Sequence, residues 1–158
     1  MTTKTLSNTY VAAGYTLASG VDRLIVEATA GVGGQGVFSD HYANIYNYGR
    51  VYASGSFRGI DLQVGGTVTN GSFANTGALI EGSSGVNIAG SYGAVTNYGT
   101  IRGTIGYAVA CFNEGHVTNG SNSDRSALIE GVAGVFLEGR NAYVRNLGTI
   151  RTLSGRYS

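Results

Sequence analysis

The sequence predicts an all-β chain wound as a parallel β-solenoid, with three short strands in each coil. Three observations carry that prediction. Asparagine recurs at Asn47, Asn70, Asn97, Asn119 and Asn146, each closing an apolar-x-Asn unit, at spacings of 23, 27, 22 and 27 residues. Apolar residues alternate with polar ones in short runs, the pattern of strands with one buried face. Glycine is abundant, at 27 of 158 residues, and proline is absent. That composition suits many short strands joined by tight corners. A fixed period in the twenties marks a stacked-repeat architecture. A β-sandwich also explains short strands, but not side-chain identity repeating at one period.

Each repeat divides into three strands. The first is the apolar-x-Asn unit: Ile45-Tyr46-Asn47, Val68-Thr69-Asn70, Val95-Thr96-Asn97, Val117-Thr118-Asn119 and Val144-Arg145-Asn146. The second follows a glycine or a short insert and centres on Val51, Ile80, Ile101, Ile129 and Ile150. The third reads Ile60-Asp61-Leu62, Val86-Asn87-Ile88, Val109-Ala110-Cys111 and Val135-Phe136-Leu137. Parallel stacking at about 4.8 Å would set these apolar residues into continuous inward ladders. Before Asn47, Leu24-Ile25-Val26 and Val37-Phe38-Ser39 read as a degenerate coil, and Thr2 to Leu17 as a cap or edge element. The expected organisation is a single domain over 1–158. Residues 1–20 are the N-terminal cap or edge, 21–151 the coils, and 152–158 an incomplete terminal coil. About six coils give a stack roughly 29 Å tall.

The asparagines are expected to form a structural ladder, because a side-chain amide donates and accepts along a stack of identical residues. A row of asparagines alone makes a weak ligand site. The outward position of the second strand is more informative, reading Tyr52, Glu81, Arg102, Glu130, Arg151. Acid and base alternate coil by coil, so a slip by one coil would stack Glu on Glu. Exposed pairs contribute only about 0–1 kcal/mol, so the column is expected mainly to specify register. It also implies a two-coil period. Long coils carry Glu and an insert, Gly71 to Thr76 or Gly120 to Ser126; short coils carry Arg. The inserts should project at one corner on alternate coils, where solenoid loops commonly bind. Candidate binding residues there are Phe73, Asn75, Asn122, Asp124 and Arg125. Tyr48 and Tyr98 both follow a ladder asparagine, and exposed tyrosines can dock sugars or proteins.

No catalytic, metal or cofactor site is expected. Carboxylates are scattered, and the column containing Asp61 continues as Asn87, Ala110 and Phe136. His41 and His116 fall in different coils. Asp40 and His41 are read as strand neighbours pointing to opposite faces. No Gly-Gly-x-Gly-x-Asp calcium repeat occurs, and no regular Thr-x-Thr row. The single Cys111 excludes an internal disulfide or a cysteine-based zinc site, and its place in the Leu62/Ile88/Leu137 ladder predicts a buried, inert thiol. Charge is near balance, with 10 Lys+Arg against 9 Asp+Glu, so nucleic acid is not an expected partner. No apolar run is long enough to span a membrane as a helix. The N-terminus has no apolar signal-peptide core.

The units Val95-Thr96-Asn97-Tyr98-Gly99-Thr100-Ile101-Arg102-Gly103 and Val144-Arg145-Asn146-Leu147-Gly148-Thr149-Ile150 resemble a known pattern. It is the V-x-N-x-G-x-I-x-G repeat of bacterial β-strand-repeat and autotransporter-passenger adhesins. The resemblance covers roughly residues 20–151 and implies a right-handed parallel β-helix. It further implies an extracellular or cell-surface location and a stalk, adhesive or matrix role. No C-terminal outer-membrane barrel follows the coils in this sequence.

The expected function is that of a non-enzymatic structural protein. An unfinished last coil after Asn146 leaves backbone groups open to edge association. The chain should therefore associate with itself end to end into a filament, or form part of a surface stalk. The alternative is an adhesin or glycan-binding passenger module, with surface glycans or host and cell-surface molecules as partners. A polysaccharide-active enzyme is the weakest of the three.

Overall fold

The computed structural model describes residues 2–153, so of the expected terminal coil at 152–158 the part from 154 lies outside the described residues. Among the described residues there is no helix, and every pairing between named strands is parallel. Seven coils stack, one more than the sequence suggested.

Coil 1 holds β1 (Thr2–Leu6), β2 (Tyr10–Val11) and β3 (Tyr15–Thr16). Coil 2 holds β4 (Val21–Val26), β5 (Gly31–Val32) and β6 (Val37–Ser39). Coil 3 holds β7 (Ala43–Asn47), β8 (Arg50–Tyr52) and β9 (Ile60–Leu62). Coil 4 holds β10 (Gly66–Asn70), β11 (Leu79–Gly82) and β12 (Val86–Ile88). In coils 5 and 6 the second and third strands run together. Coil 5 is β13 (Gly93–Asn97) and β14 (Thr100–Cys111), and coil 6 is β15 (Gly115–Asn119) and β16 (Leu128–Leu137). Coil 7 contributes β17 (Tyr143–Asn146) and β18 (Thr149–Thr152). The first strands make one seven-stranded sheet, and the second and third strands share another.

The extra coil is the segment expected as a cap or edge. It is an edge, but a complete coil: β1 pairs β4, β2 pairs β5 and β3 pairs β6. Its repeat was hard to read because Leu6 and Val26 stand in the asparagine column. In the inward ladder of the first strand, Lys4 occupies the place that Leu24, Ile45, Val68, Val95 and Val117 hold in the coils above. Lys4 is exposed at the open end of that ladder, whereas Leu24 beside it is fully buried.

The inward ladders hold as the sequence predicts. Ile45, Val68, Val95, Val117 and Val144 align in one column. Val51, Ile80, Ile101, Ile129 and Ile150 align in a second. The third strands add Ile60, Val86, Val109 and Val135 beside Leu62, Ile88, Cys111 and Leu137. All but the exposed Val144 pack into one continuous core, with Val135, Leu137 and Ile150 partly buried against it. Cys111 is fully buried within it, and burial pushes its thiol up to about 11.

Asn47, Asn70, Asn97 and Asn119 of the asparagine ladder are fully buried beside this core, and Asn146 ends it exposed. Nδ2 of Asn47 donates to Oδ1 of Asn70 at 2.8 Å, Asn70 to Asn97 at 2.8 Å, Asn97 to Asn119 at 2.8 Å, and Asn119 to Asn146 at 2.9 Å. Each Nδ2 also donates to a backbone carbonyl of the next coil, those of Leu79, Thr100, Leu128 and Thr149. The ladder thus ties the first sheet to the second at this corner from coil 3 to coil 7. Buried amides of this kind cost about 1–3 kcal/mol each when left unpaired, so the ladder specifies the register as well as the corner.

The glycines at this corner divide into two classes. In the long coils Gly71 and Gly120 have φ of 79° and 80°, the left-handed conformation that glycine adopts without strain. In the short coils Gly49, Gly99 and Gly148 do not. A Cβ on them would collide with the carbonyl oxygens of Ala30, Ala78 and Ala127, the residues at which the long coil below returns to the sheet. The motif glycine therefore permits close coil-on-coil approach, rather than the positive φ that the sequence suggests for corners generally. Short and long coils are fitted to each other as a pair, a physical reason for the two-coil period.

Candidate functional site

The alternation of long and short corners shapes the surface. Coil 2 turns this corner through residues 27–30, coil 4 through 71–77 and coil 6 through 120–126. Coils 3 and 5 turn directly at Tyr48-Gly49 and Tyr98-Gly99. A short corner between two long ones leaves a notch one coil wide, with the tyrosine after the ladder asparagine at its floor.

Among the described residues two short corners lie between long ones, and each forms such a notch. The first is lined by Tyr48 and Arg50 of coil 3, Asn75 of coil 4, Ala28 and Thr29 of coil 2, and Tyr10 of coil 1. The second is lined by Tyr98 of coil 5, Phe73 of coil 4, Asn122 and Ser123 of coil 6, Thr118, and Arg145 of coil 7. Neither is lined by a carboxylate. The two floors are two coils apart, about 10 Å.

Both inserts are rigidly built. In 71–76 the backbones of Ser72 and Asn75 bond to each other in both directions, at 2.9 and 3.0 Å. The Asn75 amide donates to the carbonyl of Tyr48 at 2.8 Å, and its Oδ1 accepts from the amide N–H of Gly77. Phe73 is 66% exposed, yet its ring lies 4.7 Å from that of Tyr98 at a tilt of 52°. In 120–126, Ser121 Oγ accepts from the backbone of Asp124 at 3.0 Å, and Asp124 Oδ1 accepts from Ser126 at 2.8 Å. That backbone bond holds the Asp124 carboxyl below the usual carboxylate range.

The structure therefore separates the five candidate loop residues. Phe73 and Asn122 come together in the second notch. Asn75 lines the first notch, but its amide is committed to holding the loop. Asp124 shapes the turn, and neither it nor Arg125 lines either notch. Sequence reasoning missed Arg50 and Arg145 as notch residues. The signal lay in register: Arg145 follows Tyr46, Thr69, Thr96 and Thr118 in one outward column and is its cation.

The charge column is real and more buried than an exposed ladder. Arg102 donates through Nη1 to Glu81 Oε2 at 2.8 Å and through Nε to Glu130 Oε1 at 2.6 Å. Arg151 Nε reaches Glu130 Oε2 at 2.9 Å. Glu130 is only 3% exposed. Burial raises its carboxyl, but the hydrogen bonds from Arg151 and Arg102 outweigh this and hold it below its ordinary value. Tyr52 continues the column below Glu81.

Asp40 and His41 correct another expectation. They lie in a bend after β6, not on a strand, and their side chains meet. Asp40 Oδ1 is 2.9 Å from His41 Nδ1, and His41 Nε2 is 3.0 Å from the carbonyl oxygen of Val21. Both ring nitrogens face acceptors, so the Val21 carbonyl first and the Asp40 carboxylate second raise the imidazole above its usual value. His116 lies apart, hydrogen-bonded to Tyr92 and stacked 4.2 Å from Tyr143. Asp61 is bound by Arg58, Gln63 and Asn87. Among the described residues no group of three His, Cys, Asp or Glu could hold a metal ion.

Comparisons with family models, with curated proteins and with solved structures found no significant match. The parallel β-solenoid thus rests on the ladders themselves.

Proposed function

We propose that this chain is a non-enzymatic structural protein, a segment of an extracellular or cell-surface β-solenoid stalk whose first coil resists end-to-end pairing with another copy. The observation that carries this reading is the difference between the two ends of the first-strand ladder. At one end stands Lys4, in register with Leu24. At the other stands Val144, 44% exposed, with Arg151 ending the charge column beside it. An inward-ladder charge is a known device against edge pairing, because a coil packed over it would bury an unpaired ammonium. Among the described residues the β17 and β18 edges carry no such block. Head-to-tail stacking of copies would set Val144 over Lys4, which favours a stalk continued by further coils over a simple filament. The amide ladder through coils 3–7 and the ion ladder through coils 4–7 support a stiff role.

The test is light scattering and electron microscopy of the chain at high concentration beside Lys4→Leu. The wild type should form no filaments, and K4L should associate end to end. Filaments of wild type as long as those of K4L would defeat this reading and restore the filament.

A further inference from the structure

The geometry points to the two corner notches as consecutive subsites for an extended, carboxylate-bearing polysaccharide. This goes beyond the stalk reading and rests on different residues.

Each notch offers the same three chemical elements. Tyr48 and Tyr98 form the floors, and Phe73 and Tyr10 present further ring surface that is 66% and 64% exposed. Aromatic rings give an apolar platform to the C–H face of a pyranose while neighbouring polar groups meet its hydroxyls. Asn122, Ser123 and Thr118 supply those groups in the second notch, and Thr29 and the backbone around it in the first. The third element is a guanidinium, Arg50 in one notch and Arg145 in the other. Both are exposed, and neither forms an ion pair among the described residues.

A guanidinium with no acid beside it is suited to two parallel hydrogen bonds with a carboxylate. The absence of any lining carboxylate makes both notches complementary to an anion. The preference for a glycan over an acidic peptide follows from the lining. Short hydroxyl and amide donors surround open rings, and there is no deep apolar pocket for a peptide side chain.

Repetition of the notch is the strongest part of the argument. The two-coil period sets the tyrosine floors about 10 Å apart along the stack. That is close to the length of two pyranose units in an extended chain. The guanidiniums lie further apart, Arg50 on coil 3 and Arg145 on coil 7, about 19 Å along the stack, so a polymer with an acidic residue at every or every second position could set one carboxylate on each while its rings cross both floors. Occupying the second site from a tethered position raises affinity without any new contact.

The experiment is calorimetric titration of the whole chain with oligogalacturonates of two to eight units, with fully methyl-esterified oligomers as the neutral control. Binding is expected to tighten by about tenfold or more once the oligomer spans both notches, and to vanish with the esterified chains. Arg50→Gln, Arg145→Gln and Phe73→Ala should each weaken the long oligomer by about tenfold. Arg125→Gln, on the same insert but outside the notch, should leave it unchanged. Circular dichroism melting identifies any variant that fails to fold, and Arg145→Lys then replaces Arg145→Gln. No binding of acidic oligomers, equal binding of esterified ones, binding that does not depend on Arg50 and Arg145, or binding confined to acidic peptides would overturn the proposal.

Discussion

Val26 lies in register beneath Asn47, and the buried Oδ1 of Asn47 has no hydrogen-bond partner. Every amide oxygen higher in the ladder is met by the Nδ2 of the asparagine below it. Here the donor would have to come from Val26. Val26→Asn should supply it, moving the unpaired oxygen to the edge next to Leu6, nearer to water. The gain of an otherwise lost acceptor offsets the lost apolar burial, so V26N is expected within about 1 kcal/mol of wild type. Val26→Ala, which only opens a cavity, should lose about 1–3 kcal/mol. Urea denaturation of the three proteins decides this; V26N falling below V26A would show that the amide does not complete the ladder.

Glu130 is held by Arg102 and Arg151 from the coils on either side. Glu130→Ala is expected to cost about 2 kcal/mol, below the range for fully buried pairs because both arginines reach solvent. Its folded carboxyl lies below the ordinary value. Its contribution is therefore full above the unfolded value and is lost as pH falls through the folded one. Wild type should lose its advantage over Glu130→Gln on acidification from neutral pH. An advantage that stays constant down to pH 3 would remove the ion pair from the account.

The Asp40–His41 pair has the opposite dependence. His41 is raised above its usual value by the Val21 carbonyl and the Asp40 carboxylate, so its contribution is full below about pH 6.5 and is lost as pH rises through the folded value. Thermal melting of wild type and His41→Gln should differ more at pH 5.5 than at pH 8. A chemical-shift titration of the His41 ring gives the folded value directly, and a midpoint at or below the free imidazole would count against the bonded imidazolium.

Gly99 shows why the short corner needs glycine. Its φ is not in the left-handed region, yet a Cβ would strike the Ala78 carbonyl. Gly99→Ala should destabilise by about 1–3 kcal/mol through this overlap. The same change at Gly77, whose added Cβ meets only the tip of Asn75, should cost less than about 1 kcal/mol. Equal melting temperatures for G99A and G77A would refute the close-approach role.

Much of the coil was legible because a parallel stack turns sequence periodicity directly into spatial neighbourhood. Asn70 meets Asn97 and Glu130 meets Arg102 because identical offsets within each repeat fall one above another. Coil 1 was less legible, since Leu6 and Lys4 break both the asparagine and the apolar columns. The notches were legible only in part. Tyr98 and the inserts could be named, but Phe73, Tyr98, Asn122 and Arg145 belong to four different coils, and no local pattern joins them.

The sequence by itself determined the parallel solenoid, its inward ladders, the alternating charge column and the pairing of long with short coils. These depend only on one-dimensional register, which residue spacing encodes. The tertiary structure alone decided which way each corner side chain turns. It folded Asn75 back onto the Tyr48 carbonyl, seated Phe73 against Tyr98, closed Asp40 onto His41 and buried Glu130 between two arginines. Corners are irregular, and their side chains settle against the coils above and below, so their geometry follows from packing between repeats and not from the period of any one.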